Sequence, residues 1–218
     1  MPHQRLNYES GGRPVAAEVF SPADESHPAL IVLHGSGGYR DFSMLAQLIT
    51  SQGYAVVVPH YFDVSGTHWA DAQAISRHAL TWTRAVADAI SFAASLPFID
   101  GERIALVGFS LGAYIAIAVA AEDARVKAVV EFFGGVPEAM AGRIRRLPPT
   151  LILHGEQDNV VPLSEGLRLK QLCIQRGICV EMETYPGAGH SFPAMVMLQA
   201  AHRALDFLNR HVKSAQAA

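Results

Sequence analysis

Cysteine is scarce in this sequence: Cys173 and Cys179 are the two among 218 residues. Two thiols make no disulfide framework, and without a Cys-x-x-Cys pair they give no zinc site. Buried, reduced thiols are the expectation. Charge is thin as well, with 17 basic residues against 20 acidic and a net charge of -3. The densest basic cluster is Arg143, Arg145 and Arg146. A nucleic-acid surface carries a basic stripe, so a nucleic-acid partner is not expected. Long apolar runs are missing. None reaches the roughly 20 residues that a bilayer span needs, and Met1 to Tyr8 lacks the apolar core of a signal peptide. A soluble, cytoplasmic protein with no membrane partner is expected. His34, His60, His68 and His78 lack metal-site spacing and clustered carboxylates, so no metal or cofactor is expected.

What the chain does have is apolar bulk. Half of its residues are hydrophobic, enough to bury a sizeable core. Strand-length apolar runs alternate with longer helical patterns, the sign of a parallel sheet covered by helices. A single domain over 1–218 is expected, with a sheet of about seven or eight strands. Arg5 to Ser10 and Arg13 to Phe20 flank Gly11-Gly12, a hairpin signal. Tyr54 to Val58, Arg103 to Val107, Val126 to Phe133 and Thr150 to Leu153 are further expected strands, and Ala29 to Leu33 is a continuous apolar run. Strands buried on both faces have that composition. Ile178 to Tyr185 alternates in part, as on a half-exposed edge. Helices are expected over 41–51, over 72–95 with a break possible, over 113–121, from Pro162 to about Arg176, and over 193–212.

The sharpest chemical signal is Gly108-Phe109-Ser110-Leu111-Gly112. A buried strand precedes it and an Ala/Ile/Val-rich helix follows. A nucleophile on such a strand–turn–helix elbow projects its hydroxyl above the sheet. The flanking glycines are needed because side chains there would clash in the tight turn. Serine is a weak nucleophile and needs a base. In this arrangement the partners follow in the order acid, then histidine. Asp158 lies in the loop after Leu151-Ile152-Leu153, and His190 lies on the Gly-rich loop Pro186 to Phe192. Glu156 is the rival acid and ranks lower, since it sits nearer the strand. An oxyanion hole is expected from the N–H of Leu111, at a helix N-terminus, and from the N–H of Ser36 in the loop His34-Gly35-Ser36-Gly37-Gly38. Gly37 is the runner-up to Ser36.

Together these stretches resemble the dienelactone hydrolase family of α/β-hydrolases. The likeness runs through Leu33-His34-Gly35, Asp100-x-x-Arg103, Phe132-Phe133-Gly134, His154-Gly155-x-x-Asp158 and Tyr185 to Phe192. It implies the α/β-hydrolase fold, with helices on both faces of the sheet, and a triad of Ser110, Asp158 and His190. Lactone-cleaving members carry cysteine at the nucleophile position, glutamate at Gly35 and often an acid at His60. Ser110 therefore implies conventional serine esterase chemistry on a small ester or lactone. Tyr39, Tyr61, Phe62, Trp69, Phe133 and Phe192 are the candidate lining of the substrate pocket. Arg40 and the three clustered arginines are candidates for drawing in an anionic substrate. A peptidase or acyltransferase on the same triad, and a non-catalytic ligand-binding relative, are the alternatives. A monomer or homodimer is expected.

Overall fold

The computed structural model describes residues 3–22, 25–39 and 42–213. Among the described residues eight strands form one sheet, in the order β1-β2-β4-β3-β5-β6-β7-β8. β1 (His3–Ser10) and β2 (Arg13–Phe20) make the predicted hairpin around Gly11-Gly12, and β2 pairs antiparallel to β4 (Ala55–Pro59). Every other pairing is parallel: β3 (His27–Leu33), β5 (Ile99–Phe109), β6 (Val126–Phe132), β7 (Thr150–Gly155) and β8 (Val180–Tyr185). Their C-terminal ends therefore share one edge of the sheet, where an open α/β sheet collects its functional loops.

Alternation along each central strand feeds two cores. From β3, Ile31 and Leu33 enter one, and Leu30 and Val32 the other. The first is covered by α2 (Ala72–Ser95), α3 (Leu111–Glu122) and α5 (Leu163–Gln175), through Trp82, Ile115 and Leu169. The second is covered by α1 (Ser43–Ser51) and α6 (Ala194–Leu208), through Ile49 and Phe207. A short α4 (Glu138–Ala141) sits in the connection before β7.

Several boundaries differ from the sequence expectation. β5 begins at Ile99 rather than Arg103, because its ladder to β3 continues past polar residues as far as His27↔Ile99. α2 runs unbroken, started by the Asp71 side chain accepting from the Ala74 N–H at 2.8 Å. α3 starts at Leu111, two positions early, directly from the elbow. β8 starts at Val180, since the Ile178 N–H is used to close the end of α5 on the Cys173 carbonyl at 2.9 Å. Asp41, the expected start of α1, lies outside the described residues. No helix among the described residues is long and apolar enough to cross a membrane.

Candidate active site

Ser110 stands between β5 and α3 with φ 53 and ψ −117. That left-handed backbone is strained for a side-chain-bearing residue, and such strain gathers at functional sites. It is held from both sides. The Ser110 N–H donates to the Phe132 carbonyl at 3.0 Å, and the Ser110 carbonyl accepts from Ala113 N–H at 2.9 Å. Gly108 makes the turn possible: a Cβ there would stand 2.6 Å from the backbone N and Cα of Ala113.

His190 bridges the other two members. Its Nε2 lies 2.9 Å from Ser110 Oγ and its Nδ1 lies 2.8 Å from Asp158 Oδ2. The Asp158 side chain is fully buried while that of His190 is 22% exposed, so the carboxylate is dry and the imidazole reaches solvent. Asp158 Oδ1 accepts the N–H groups of Val160 and Val161, each at 2.9 Å. Those two bonds fix the carboxylate so that Oδ2 faces His190. His154 supports the same loop, with Nε2 2.9 Å from the Val161 carbonyl and 3.7 Å from Asp158 Oδ2. The acid loop is also tied to the histidine loop: Gln157 N–H donates to Ala188 O at 2.9 Å and Glu156 N–H to Tyr185 O at 3.1 Å. The Glu156 carboxylate is exposed and accepts from Thr184 Oγ1 at 2.7 Å.

The His34–Gly38 loop lies against Ser110, since a Cβ on Gly35 would be 3.3 Å from Ser110 Cβ. Two bonds pin this loop. Tyr61 Oη donates to the His34 carbonyl at 2.6 Å, and Ala70 N–H donates to the Ser36 carbonyl at 2.8 Å. The His34 ring is stacked on Tyr61 at 4.1 Å and meets Phe62 edge-on at 4.7 Å. Burial lowers the His34 pKa to about 4, so the ring is neutral near pH 7. Leu111, the first residue of α3, places its N–H at the positive end of the helix.

The six candidate lining residues divide. Phe133 packs on His190, its ring 4.9 Å from the imidazole, and Phe192 stands behind it at 5.2 Å. Tyr61 and Phe62 are buried beneath the His34–Gly38 loop rather than in its mouth. Tyr39 is half-buried and stacked on His60 at 4.0 Å. Trp69 is 62% exposed. Arg40 lies outside the described residues. Arg145 donates to Gly142 O at 3.1 Å, and Arg146 to Ala120 O at 3.4 Å, near the end of α3 opposite Ser110. No group of three or more His, Cys, Asp or Glu side chains among the described residues is placed to hold a metal ion.

Sequence reasoning missed Glu131. Its carboxyl is fully buried at the end of β6, with Oε2 accepting the Gly134 N–H at 2.7 Å. Burial, partly offset by that hydrogen bond, pushes its pKa up to about 8. A single acid inside the apolar run Ala128 to Phe133 was the available signal. Phe133 beside it is also left-handed, at φ 44.

Residues 15–212 match the dienelactone hydrolase family. A carboxymethylenebutenolidase of Pseudomonas putida is 27% identical over 225 residues, covering 90% of this chain and 92% of that protein. The quorum-quenching protein AidA of Acinetobacter baumannii is 29% identical over 145 residues, covering 62% of this chain and 46% of that protein. The match thus spans about half the length of the Acinetobacter relative. A crystal structure from Klebsiella pneumoniae, named for dienelactone hydrolase, superposes with a TM-score of 0.84 at 21% identity, over 96% of this chain and 99% of that one. At that identity the likeness is one of fold.

Proposed function

The chain belongs to the dienelactone hydrolase family, and from that premise we propose that it is a serine hydrolase cleaving a small ester or lactone through an acyl-Ser110 intermediate. The observation that carries the proposal is the imidazole of His190, 2.9 Å from Ser110 Oγ and 2.8 Å from Asp158 Oδ2. That geometry suits general-base activation of a hydroxyl.

Ser110 Oγ attacks the substrate carbonyl carbon as its proton passes to His190 Nε2. Asp158 accepts the hydrogen bond from Nδ1–H and stabilises the imidazolium. The carbonyl oxygen becomes an oxyanion facing the N–H groups of Ser36 and Leu111. One such donor is worth roughly 100- to 1,000-fold in rate. The carbon–oxygen bond to the leaving group breaks, and that oxygen takes the proton from His190. Water then attacks the acyl-Ser110 carbonyl, giving its proton to His190. The acid product departs and Ser110 recovers its proton. No step requires a metal or cofactor.

The working unit we propose is one domain over 1–218 in the cytoplasm, acting as a monomer or homodimer on a small molecule. Hydrolysis of p-nitrophenyl acetate by the purified protein, beside Ser110→Ala, tests the chemistry. Cleavage lost in the variant is the expected result. Equal rates in the two proteins would contradict it.

A further inference from the structure

We propose that Glu131 is a positioning residue for His190: its carboxyl locks the Phe133–Gly134 turn and so holds the ring that packs on the imidazole. This rests on the serine hydrolase reading above and adds a residue outside the set Ser110, Asp158 and His190. Glu131 is in register with Gly108 of β5 on one side and Ile152 of β7 on the other. Its side chain points to the same side of the sheet as that of Val129, the side covered by α3 and α5. It is fully buried there. Burying a carboxyl is costly unless it is hydrogen-bonded, and Val129 and Ile152 fill the same layer with apolar side chains. Glu131 differs from them in the contact it makes.

That contact is with a turn. Phe133 is left-handed at φ 44, and the next residue folds back so that the Gly134 N–H donates to Glu131 Oε2 at 2.7 Å. Gly134 is buried. A side chain on it would collide with Ala113 Cβ and stand 3.4 Å from the Ser110 carbonyl, so the turn is wedged against the first turn of α3. Phe133 is thus fixed on both sides. Its own N–H donates to the Leu153 carbonyl at 2.8 Å, and the residue after it is held by Glu131. Between these two bonds the ring is set 4.9 Å from the His190 ring, with Phe192 behind it at 5.2 Å. The imidazole then has an apolar wall on its face while Asp158 and Ser110 hold its two nitrogens.

The lock works with the neutral carboxyl. Glu131 Oε1 is buried with no hydrogen-bond partner among the described residues. Besides Asp158 and His190, the titratable groups around this end of the sheet are Tyr114 of α3, Glu165 and Arg168 of α5, and His154 of β7. Tyr114 Oη donates to Glu165 Oε2 at 3.3 Å, Arg168 donates to the same oxygen at 2.6 Å, and His154 Nε2 lies 2.9 Å from the Val161 carbonyl. Each is engaged elsewhere. Burial keeps Glu131 protonated up to about pH 8. Above that value the anion would have one oxygen dry and unpaired, which is costly. The turn then opens to let water reach Oε1, and the Phe133 ring leaves His190.

The test compares Glu131→Leu and Glu131→Gln with the wild type on p-nitrophenyl acetate. Leucine fills the space and removes the acceptor, and should lower kcat by about tenfold or more with KM within about twofold. Glutamine keeps the acceptor and should match the wild-type kcat within about twofold at pH 7. From pH 7 to about pH 9 the wild-type kcat should fall by about threefold or more as Glu131 ionises, and that of the glutamine variant should not. The pH comparison keeps the test open if the leucine variant does not fold. NMR of the His190 ring protons, assigned with His190→Ala, reads the position of the imidazole without catalysis. Those resonances should move in the leucine variant and stay in the glutamine variant. A leucine variant with wild-type kcat and unmoved His190 resonances overturns the proposal, as does the same alkaline profile in the wild type and the glutamine variant. His190 resonances that move as expected in a protein that cleaves no ester sink the hydrolase reading and leave the positioning role. Esters cleaved equally by all three proteins sink the positioning role and leave the hydrolase.

Discussion

Ser110 and Phe133 are the two non-glycine residues with positive φ among the described residues, and they stand side by side at the ends of β5 and β6. Their strands are in register at Phe109↔Phe132, and the Ser110 N–H donates to the carbonyl of Phe132 at 3.0 Å. One strained turn carries Ser110. The other presents the ring that packs on His190. Each strained residue typically costs about 1–3 kcal/mol, and the surrounding hydrogen bonds hold both in place.

Gly108 is the joint on which the first turn depends. Gly108→Ala would set a Cβ 2.6 Å from the Ala113 N and Cα, which are backbone atoms at the start of α3. The helix has to retreat, and Ser110 moves with it. We expect kcat/KM to drop by about 100-fold or more. Steady-state kinetics with p-nitrophenyl acetate checks this, with circular dichroism to confirm that the fold survives.

The two carboxylates of the acid loop make a paired test. Asp158→Asn keeps the shape and loses the charge, and should lower kcat by about 1,000- to 10,000-fold. Glu156→Gln alters an exposed group bonded to Thr184 and should leave kcat within about twofold, as surface changes usually do. A larger loss in the Glu156 variant than in the Asp158 variant would reverse the assignment of the acid.

Tyr61 is predicted to act through the His34 loop. Tyr61→Phe leaves the His34 carbonyl without the 2.6 Å bond from the phenol. An unsatisfied buried acceptor costs about 1–3 kcal/mol. Urea denaturation should show that loss, and kcat should fall more than KM changes if this loop carries an oxyanion donor as proposed. Full activity with unchanged stability would mean the bond does not hold the loop.

Glu131 gives the stability a pH signature. Its carboxyl titrates near 4.5 when exposed and at about 8 in the fold, because burial disfavours its charge. Between those values the folded chain holds a proton that the unfolded chain has released. Stability from this group is complete below 4.5 and is lost as the pH rises through about 8. His34 works in the opposite direction: its pKa falls from 6.5 to about 4, so its contribution is present above 6.5 and lost as the pH falls through about 4. Glu131→Gln keeps an acceptor for the Gly134 N–H and removes the alkaline slope. Melting between about pH 5 and about pH 9 should show the variant at least about 3 °C more stable at the alkaline end. Parallel curves for the two proteins would contradict the buried, protonated acid.

The parts of the fold and site legible in the sequence are those that local chemistry dictates. Gly108-x-Ser110-x-Gly112 announces its elbow because only glycine fits beside that turn. The buried strands are visible because their ladders need apolar residues on both faces. Asp158 and His190 follow from chain order and from the loops that must carry them. Contacts between distant segments are not legible in this way. Tyr61 looks like a pocket aromatic until its hydroxyl meets the carbonyl of His34, 27 residues away. Glu131 looks like an interruption of a strand until the turn at Gly134 folds back onto it. The start of β5 at Ile99 was hidden because polar residues continue a ladder whose hydrogen bonds are made by backbone alone.

The central claim is that Ser110 is a nucleophile activated by His190. Intact-mass and peptide mass spectrometry after treatment with a fluorophosphonate tests it most directly. In that reaction Ser110 Oγ bonds to phosphorus, fluoride leaves, and His190 takes the hydroxyl proton. The account predicts one adduct per chain, on the peptide carrying Ser110, and its loss in His190→Ala. No adduct on the wild type, or an adduct on a different residue, would contradict it.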